Sequence, residues 1–199
     1  EIQNVSNSDD SQYMLKALDS DNLTVDIHHA GTAMRFLTAY FATLDGKTTL
    51  LTGSKRMQER PIKILVDTLR ELGADIEYDK EEGFPPLRII GKTLLKDEVR
   101  MKANVSSQYI SALLLMATKL ENGLTLHLEG KITSVPYIKM TLSLLDQLGV
   151  ETSFEGQIIQ IKPYLDTVSK SFTVESDWSS ASYFYSIVAL SPVGTQINL

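Results

Sequence analysis

Three pairs of marker residues recur along this chain at an almost constant offset. Thr32 and Ser107 lie 75 positions apart, Pro61 and Pro136 also 75, and Gly73 and Gly149 76. Around each pair the same order of segments returns. In the first copy an apolar helix begins at Gly31-Thr32 and runs to about Leu44, Asp45-Gly46 turns the chain, and Thr48 to Thr52 is β-branched and strand-like. A basic loop, Ser54 to Arg60, leads to Pro61, which suits the first position of a helix. Ile62, Leu65, Val66, Leu69 and Leu72 give that helix one apolar face, and Gly73 closes it. Strands are expected at Ala74 to Tyr78 and Leu87 to Ile90, joined through Glu82-Gly83 and Pro85-Pro86, with a further strand at Val99 to Ala103.

The second copy runs from a helix over Ser107 to Leu120, through a turn at Asn122-Gly123 and a strand at Leu124 to Leu128, to a helix opened by Pro136 and closed by Gly149. A third start stands at Ser179-Ser180-Ala181-Ser182-Tyr183-Phe184, 73 positions after Ser106, with a strand expected at Phe172 to Val174. Ahead of the first copy, Asn7-Ser8-Asp9-Asp10 opens a short helix that reads as the tail of an earlier unit, and Val25 and Ile27 mark a brief strand. The last residues, Thr195 to Leu199, are strand-like. The unit is thus β-α-β-α-β-β. Its period is longer than that of solenoid repeats, so units packed around a common centre are expected. The helices starting at Gly31 and Ser107 are apolar on more than one face, which places them inside, with sheets outside, in an α/β (α+β) fold.

The residue content excludes several function classes. A net charge of −6 argues against nucleic acid or an anionic membrane surface as the main partner. The lack of cysteine removes disulfides, thiolate nucleophiles and zinc-thiolate sites and fits a reducing, cytoplasmic setting. No apolar run approaches the roughly 20 residues of a membrane-spanning helix. The chain begins at Glu1 without an initiator Met, and is expected to be a piece of a longer protein.

The repeat gives the polar residues at the helix starts a common meaning. Val105-Ser106-Ser107-Gln108 opens an apolar helix, whose first turn carries unpartnered N–H groups and the positive end of the dipole. Ser106 and Ser107 can cap that helix or donate to an anion. Equivalent helix starts on one side of a pseudo-symmetric core bring Thr32, Ser107 and Ser180 onto a shared surface with the loops holding Arg60 and Ser134-Val135-Pro136-Tyr137. That set suits phosphate recognition. Each member also has a plainer reading: Arg60 as a solvated charge, Ser134 as a cap, Tyr137 as packing with a surface hydroxyl. His28-His29 is a weak metal candidate, because neighbours on a strand point to opposite faces. Asp9-Asp10 reads as capping and Trp178 as packing.

The chain resembles the 5-enolpyruvylshikimate-3-phosphate synthases. The resemblance rests on Ala30-Gly31-Thr32-Ala33-Met34-Arg35, Arg56-Met57-Gln58-Glu59-Arg60-Pro61-Ile62, Phe84-Pro85-Pro86-Leu87-Arg88, Val105-Ser106-Ser107-Gln108-Tyr109, Pro136-Tyr137-Ile138 and Ser179 to Phe184, in family order. It implies two globules, each an inside-out α/β barrel of three units about a pseudo-threefold axis. Residues 1–174 then form most of the shikimate 3-phosphate globule and 175–199 the start of the other. The resemblance makes Ser106, Ser107, Gln108, Ser134 and Tyr137 contacts of shikimate 3-phosphate. It makes Gly31, Thr32, Arg60 and Gln108 contacts of phosphoenolpyruvate.

The implied reaction transfers the enolpyruvyl group to the 5-hydroxyl of shikimate 3-phosphate, without metal or organic cofactor. The Lys-Ser segment and second-globule residues that complete the family site are absent, so this chain alone is expected to be inactive, with no catalytic residue assigned in it. His28-His29 stands where the family commonly carries Gly-Asn, Phe36 where Pro is usual, and Val135 where Lys or Arg is usual. Two alternatives stay open at this stage: the related transferase acting on UDP-N-acetylglucosamine, whose usual loop cysteine is absent here, and a non-catalytic binding module built on the same repeat.

Overall fold

The computed structural model describes residues 2–164, 170–171, 173–174 and 176–199, in two compact units, Glu1–Thr167 and Val168–Leu199. In the first unit α1 (Asp9–Leu18) precedes two copies of one motif. The first copy is β1 (Thr24–Asp26), α2 (Gly31–Ala42), β2 (Thr48–Thr52), a short helical turn α3 (Lys55–Gln58), α4 (Lys63–Glu71), β3 (Asp75–Tyr78) and β4 (Leu87–Ile90). The second is β5 (Glu98–Lys102), α5 (Ser107–Ala117), β6 (Leu124–Glu129), α6 (Val135–Leu148), β7 (Thr152–Glu155) and β8 (Ile158–Ile161).

Each copy builds a four-stranded sheet of the same topology, in the orders β1-β2-β4-β3 and β5-β6-β8-β7. The first two strands run parallel across the helical crossover, and the hairpin then adds antiparallel. Register preserves the apolar rows. Val25 pairs with Leu51 and Leu51 with Leu87 in one sheet, while Val99 pairs with Leu126 and Leu126 with Ile159 in the other. All six side chains are buried, as expected where alternate residues line one face.

Helices α2 and α5 pack against each other. Met34, Leu37 and Phe41 on α2 and Ile110, Leu113 and Leu114 on α5 are shielded from solvent, each worth about 1.5–3 kcal/mol of apolar burial. Helices α4 and α6 are amphipathic and show the core one face, through Leu65, Val66 and Leu69 and through Ile138, Leu142 and Leu145. Gly149 ends α6 at φ 91°, a left-handed cap that glycine adopts without steric cost.

Several sequence expectations need correction. Pro61 does not begin a helix: α4 starts at Lys63, because the Ile62 N–H is taken by the Gly83 carbonyl at 2.8 Å and Ile62 sits at φ −137°. In the second copy Pro136 lies in the first turn as expected. The basic loop contains the turn α3, capped by the Ser54 hydroxyl accepting from Met57 N–H at 3.3 Å. Helix α5 ends at Ala117 rather than Leu120. Residues 195–199 form no strand, having no described neighbour that continues a ladder. Of the strand expected at Phe172 to Val174, Phe172 lies outside the described residues, and Thr173 and Val174 are not in a strand. Glu175, at the expected domain boundary, also lies outside them.

In the second compact unit α7 (Trp178–Ala189) is capped by Asp177, whose carboxylate accepts from the Ser179 N–H and the Ser180 hydroxyl, both at 2.8 Å. No described helix is long and apolar enough to cross a membrane.

Candidate functional site

The site grows from the packing of α2 on α5, which places the starts of the two equivalent helices side by side. Gln108 Nε2 donates to Thr32 Oγ1 at 3.1 Å, joining the first turns across the two copies. One residue further on, the Tyr109 hydroxyl donates to the Pro61 carbonyl at 2.7 Å. That bond holds the segment carrying Arg60 against α5. The expected meeting of Thr32, Gln108 and the Arg60 loop is therefore a feature of the fold.

Gly31 is where the cations gather. A Cβ added there would overlap Arg60 Nη1 and come 3.2 Å from Arg35 Nη1, so the missing side chain leaves room for two guanidinium groups. Arg35 is buried, with 5 % of its surface exposed. Its Nη1 donates to the Gly31 carbonyl at 2.8 Å, its Nε has no partner, and the guanidinium lies 6.0 Å from the Tyr109 ring centre. Burial first, and then the Arg60 charge, pull Arg35 below the ordinary arginine range, while Tyr109 opposes the shift. No carboxylate pairs with Arg35, Arg56 or Arg60 among the described residues. A buried cation beside a second cation is unfavourable unless something else balances the charge. An anion at this position would do so.

Arg60 and Arg56 are exposed and line, with His29 and Met57, a cleft of about 470 Å³. Thr32 is not fully free for a ligand: its N–H donates to the Asp10 carboxylate at 3.3 Å, which brings α1 to the start of α2. Asp10 thus caps a neighbouring helix as well as belonging to the acidic first turn of its own.

His28 and His29 are not on a strand. His28 follows β1 in the left-handed region at φ 51°, and the two rings meet edge to face with centroids 4.0 Å apart. The expectation that they point to opposite faces fails because the strand has already ended. Among the described residues, no group of three or more His, Cys, Asp or Glu is placed to hold a metal ion.

The second cluster lies at the start of α5 and α6. Ser106 caps α5, its hydroxyl accepting from the Gln108 N–H at 3.3 Å. Ser107 is half-buried and its hydroxyl makes no hydrogen bond to a described residue. The Thr133 hydroxyl donates to the Val105 carbonyl at 3.2 Å, tying the β6–α6 loop, which carries Ser134, to the β5–α5 loop, which carries Ser106. Ser134 is exposed, adopts φ 56° and ψ 36°, and uses its carbonyl, not its hydroxyl, to hold the Tyr137 N–H at 3.0 Å. A non-glycine residue in that conformation is uncommon and points to a local constraint. Tyr137 is 55 % exposed, so it is not a core residue.

Of the residues expected to meet the substrates, Gly31, Thr32 and Arg60 lie about the start of α2, Ser106, Ser107, Ser134 and Tyr137 lie at the starts of α5 and α6, and Gln108 is hydrogen-bonded to both Thr32 and Ser106. Arg35 and Arg56 stand in the sequence only within the family motifs, and His29 only as a weak metal candidate. An arginine four residues after Gly31, amid the buried Met34 and Leu37, was the available signal for Arg35.

A repeated α/β core with an uncompensated cationic cleft where its helix starts converge defines the class of protein. The chain belongs to the family EPSP synthase (3-phosphoshikimate 1-carboxyvinyltransferase), which it matches over residues 1–198. It is 56 % identical over 190 residues to a 3-phosphoshikimate 1-carboxyvinyltransferase of Bacteroides fragilis, covering 95 % of this chain and 46 % of that protein. It is 43 % identical over 175 residues to the Haemophilus influenzae protein of the same name, covering 85 % and 40 %. The chain thus spans about half the length of these relatives. The solved EPSP synthase of Acinetobacter baumannii shares the fold, with a TM-score of 0.68 at 24 % identity over 83 % of this chain and 36 % of that one.

Proposed function

We propose that this chain is the substrate-binding part of an enzyme that transfers the enolpyruvyl group of phosphoenolpyruvate to the 5-hydroxyl of shikimate 3-phosphate. The observation that carries the proposal is the pair Arg35 and Arg60 at Gly31, without a carboxylate partner, beside a Thr32–Gln108 bridge between two helix starts. Phosphoenolpyruvate sits at Gly31, Thr32, Arg60 and Gln108. Shikimate 3-phosphate sits at Ser106, Ser107, Gln108, Ser134 and Tyr137, where the free hydroxyls of Ser107 and Ser134 and the first turn of α5 share its phosphate charge.

In the reaction the 5-hydroxyl oxygen bonds to C2 of phosphoenolpyruvate, the hydroxyl proton leaves and C3 gains a proton. Phosphate then departs from C2 as C3 returns a proton, restoring the double bond. The chain's part is positioning and fixed positive charge, both of which act without rearrangement at the moment of reaction. The acid and base groups belong to the remainder of the protein, so the chain alone has no turnover. It is soluble, acts in the cytoplasm and partners the second globule, residues 1–174 forming the first globule and 175–199 opening the next.

The finer architecture follows the same reading. Helix α1 takes the place of α4 and α6 in a preceding unit, although the hairpin that follows those helices is missing between α1 and β1. Three inner helices about a pseudo-threefold axis would then comprise α2, α5 and one that precedes α1.

Calorimetry with this chain tests the site. Shikimate 3-phosphate is expected to bind, and the triple variant Ser106→Ala, Ser107→Ala, Arg60→Ala to lose it, charged hydrogen bonds being worth roughly 1.5–3 kcal/mol each. Tighter binding of UDP-N-acetylglucosamine, or indifference to the triple substitution, would reject the assignment.

A further inference from the structure

We propose that His29 is a proton-linked anion-binding residue of the cleft, making its grip on a phosphate or carboxylate group stronger as pH falls through neutrality. The inference rests on the reading of that cleft as an anion site and adds a titratable residue that the reading did not include. His29 lines the cleft together with Arg56, Met57 and Arg60, and histidine is the one side-chain type in that lining with both a neutral and a cationic form around neutral pH.

Its ring is held from behind. Ser54 Oγ lies 2.8 Å from His29 Nδ1, and the same oxygen accepts from the Met57 N–H. The Ser54 hydroxyl can donate to a neutral His29 at Nδ1, in the tautomer that carries the imidazole proton on Nε2. Protonation reverses the Ser54 contact without moving the ring, and Nε2 stays a donor. Nε2 has no hydrogen-bond partner among the described residues. Gly53 makes this approach possible: a Cβ there would lie 2.7 Å from the His28 carbonyl, and that carbonyl accepts from the Ser54 N–H at 3.0 Å.

The charges around His29 set the sign. Arg56 and Arg60 share its cleft and oppose a third positive charge while the cleft is empty. His28 contacts it edge to face, and Tyr13 from α1 stacks on His28 at 5.8 Å. Asp26 accepts from the His28 N–H and Asp10 from the Thr32 N–H, and neither forms an ion pair with His29 among the described residues. An anion entering among the arginines reverses the balance, so binding draws a proton onto His29, and protonated His29 in turn tightens binding by the same factor.

Proton NMR of the His29 ring in this chain, titrated with and without sulfate, tests the linkage, sulfate being a dianion throughout the range. Sulfate is expected to move the His29 titration midpoint upward by about 0.7 pH unit, equivalent to roughly fivefold tighter sulfate binding by the protonated form. His127, on β6, is expected not to move, and His29→Asn is expected to flatten sulfate affinity between pH 5.5 and 8. If Arg56→Ala with Arg60→Ala leaves sulfate binding unchanged, the cleft is not the anion site and the underlying reading falls. If binding needs those arginines while the His29 midpoint stays fixed, or His29→Asn keeps the pH dependence, the role given to His29 is wrong and the cleft reading stands.

Discussion

Gly31 carries the most consequence per atom in this chain. Its missing Cβ is the space in which Arg60 lies, with Arg35 3.2 Å away on the other flank. Gly31 opens α2 with φ outside the left-handed region, so alanine fits the backbone there and improves helix propensity by up to about 1 kcal/mol. Gly31→Ala is therefore expected to leave thermal stability unchanged or slightly raised, while displacing the exposed Arg60 and weakening anion binding about tenfold or more, through loss of charge-assisted contacts. Thermal unfolding and sulfate or phosphoenolpyruvate titration of the same variant check both halves; unchanged affinity would mean Arg60 does not act from this position. Residue types alone pointed to part of this site. Gly31, Thr32, Arg60 and the serine pair stood out by type and place at helix starts, and Thr32 and Gln108 do meet. By residue type Arg35 carries no site role, because its importance comes from burial without a partner, and His29 reads only as a weak metal candidate, because a left-handed His28 redirects the chain after β1.

At the scale of elements, the loops bearing Ser106 and Ser134 are only as well placed as α5 is against α6. Those helices share a buried hydroxyl pair, Ser111 Oγ to Thr141 Oγ1 at 2.7 Å, and Thr141 also donates to the Tyr137 carbonyl at 3.1 Å. Thr141→Val strands the Ser111 hydroxyl in the core and is expected to cost about 1–3 kcal/mol, whereas Ser111→Ala costs about 1. Removing both should cost less than the sum, because neither partner is then left unsatisfied. Urea denaturation of the four proteins measures the coupling, and strict additivity would show that the hydroxyls do not act as a pair. A second element-level test concerns α7. The Ser180 hydroxyl, then the Ser179 N–H, hold the Asp177 carboxylate below the ordinary range. A depressed folded value means the cap is in force above the unfolded carboxylate value of about 4 and is lost as pH falls below it toward the folded value. Backbone chemical shifts of Ser179 to Ala181 should drift toward coil values over that window in acid; shifts constant down to pH 2.5 would contradict the cap. The repeat made most elements legible, since β2 and β4 begin and end where β-branching and turn residues placed them. The start of α4 was not, because the Ile62–Gly83 hydrogen bond comes from a segment twenty residues away and overrides the helix preference after Pro61.

For the molecule as a whole, the open question is what covers the groove beside the two inner helices. Met14 and Leu18 of α1, Phe36 and Tyr40 of α2, and Leu115 and Met116 of α5 border an apolar groove of about 350 Å³. In a three-unit core this groove receives the inner helix of the unit that precedes α1, and the chain's coverage of about half the length of its relatives leaves room for such a unit. Leu115 discriminates because it is 39 % exposed here, whereas its neighbour Leu114 is fully buried. In this chain Leu115→Glu replaces one good helix former by another on an accessible face and should change stability by no more than about 0.5 kcal/mol, while Leu114→Ala should cost about 2–5. In a longer chain with the proposed three-unit core the same glutamate would be enclosed by the third helix without a cation to pair with, at a cost of about 2 kcal/mol or more. Urea midpoints of both substitutions in both lengths of chain decide the matter. A Leu115→Glu effect equally small in the longer protein would mean that the groove stays open to solvent and that two units, not three, make up this core.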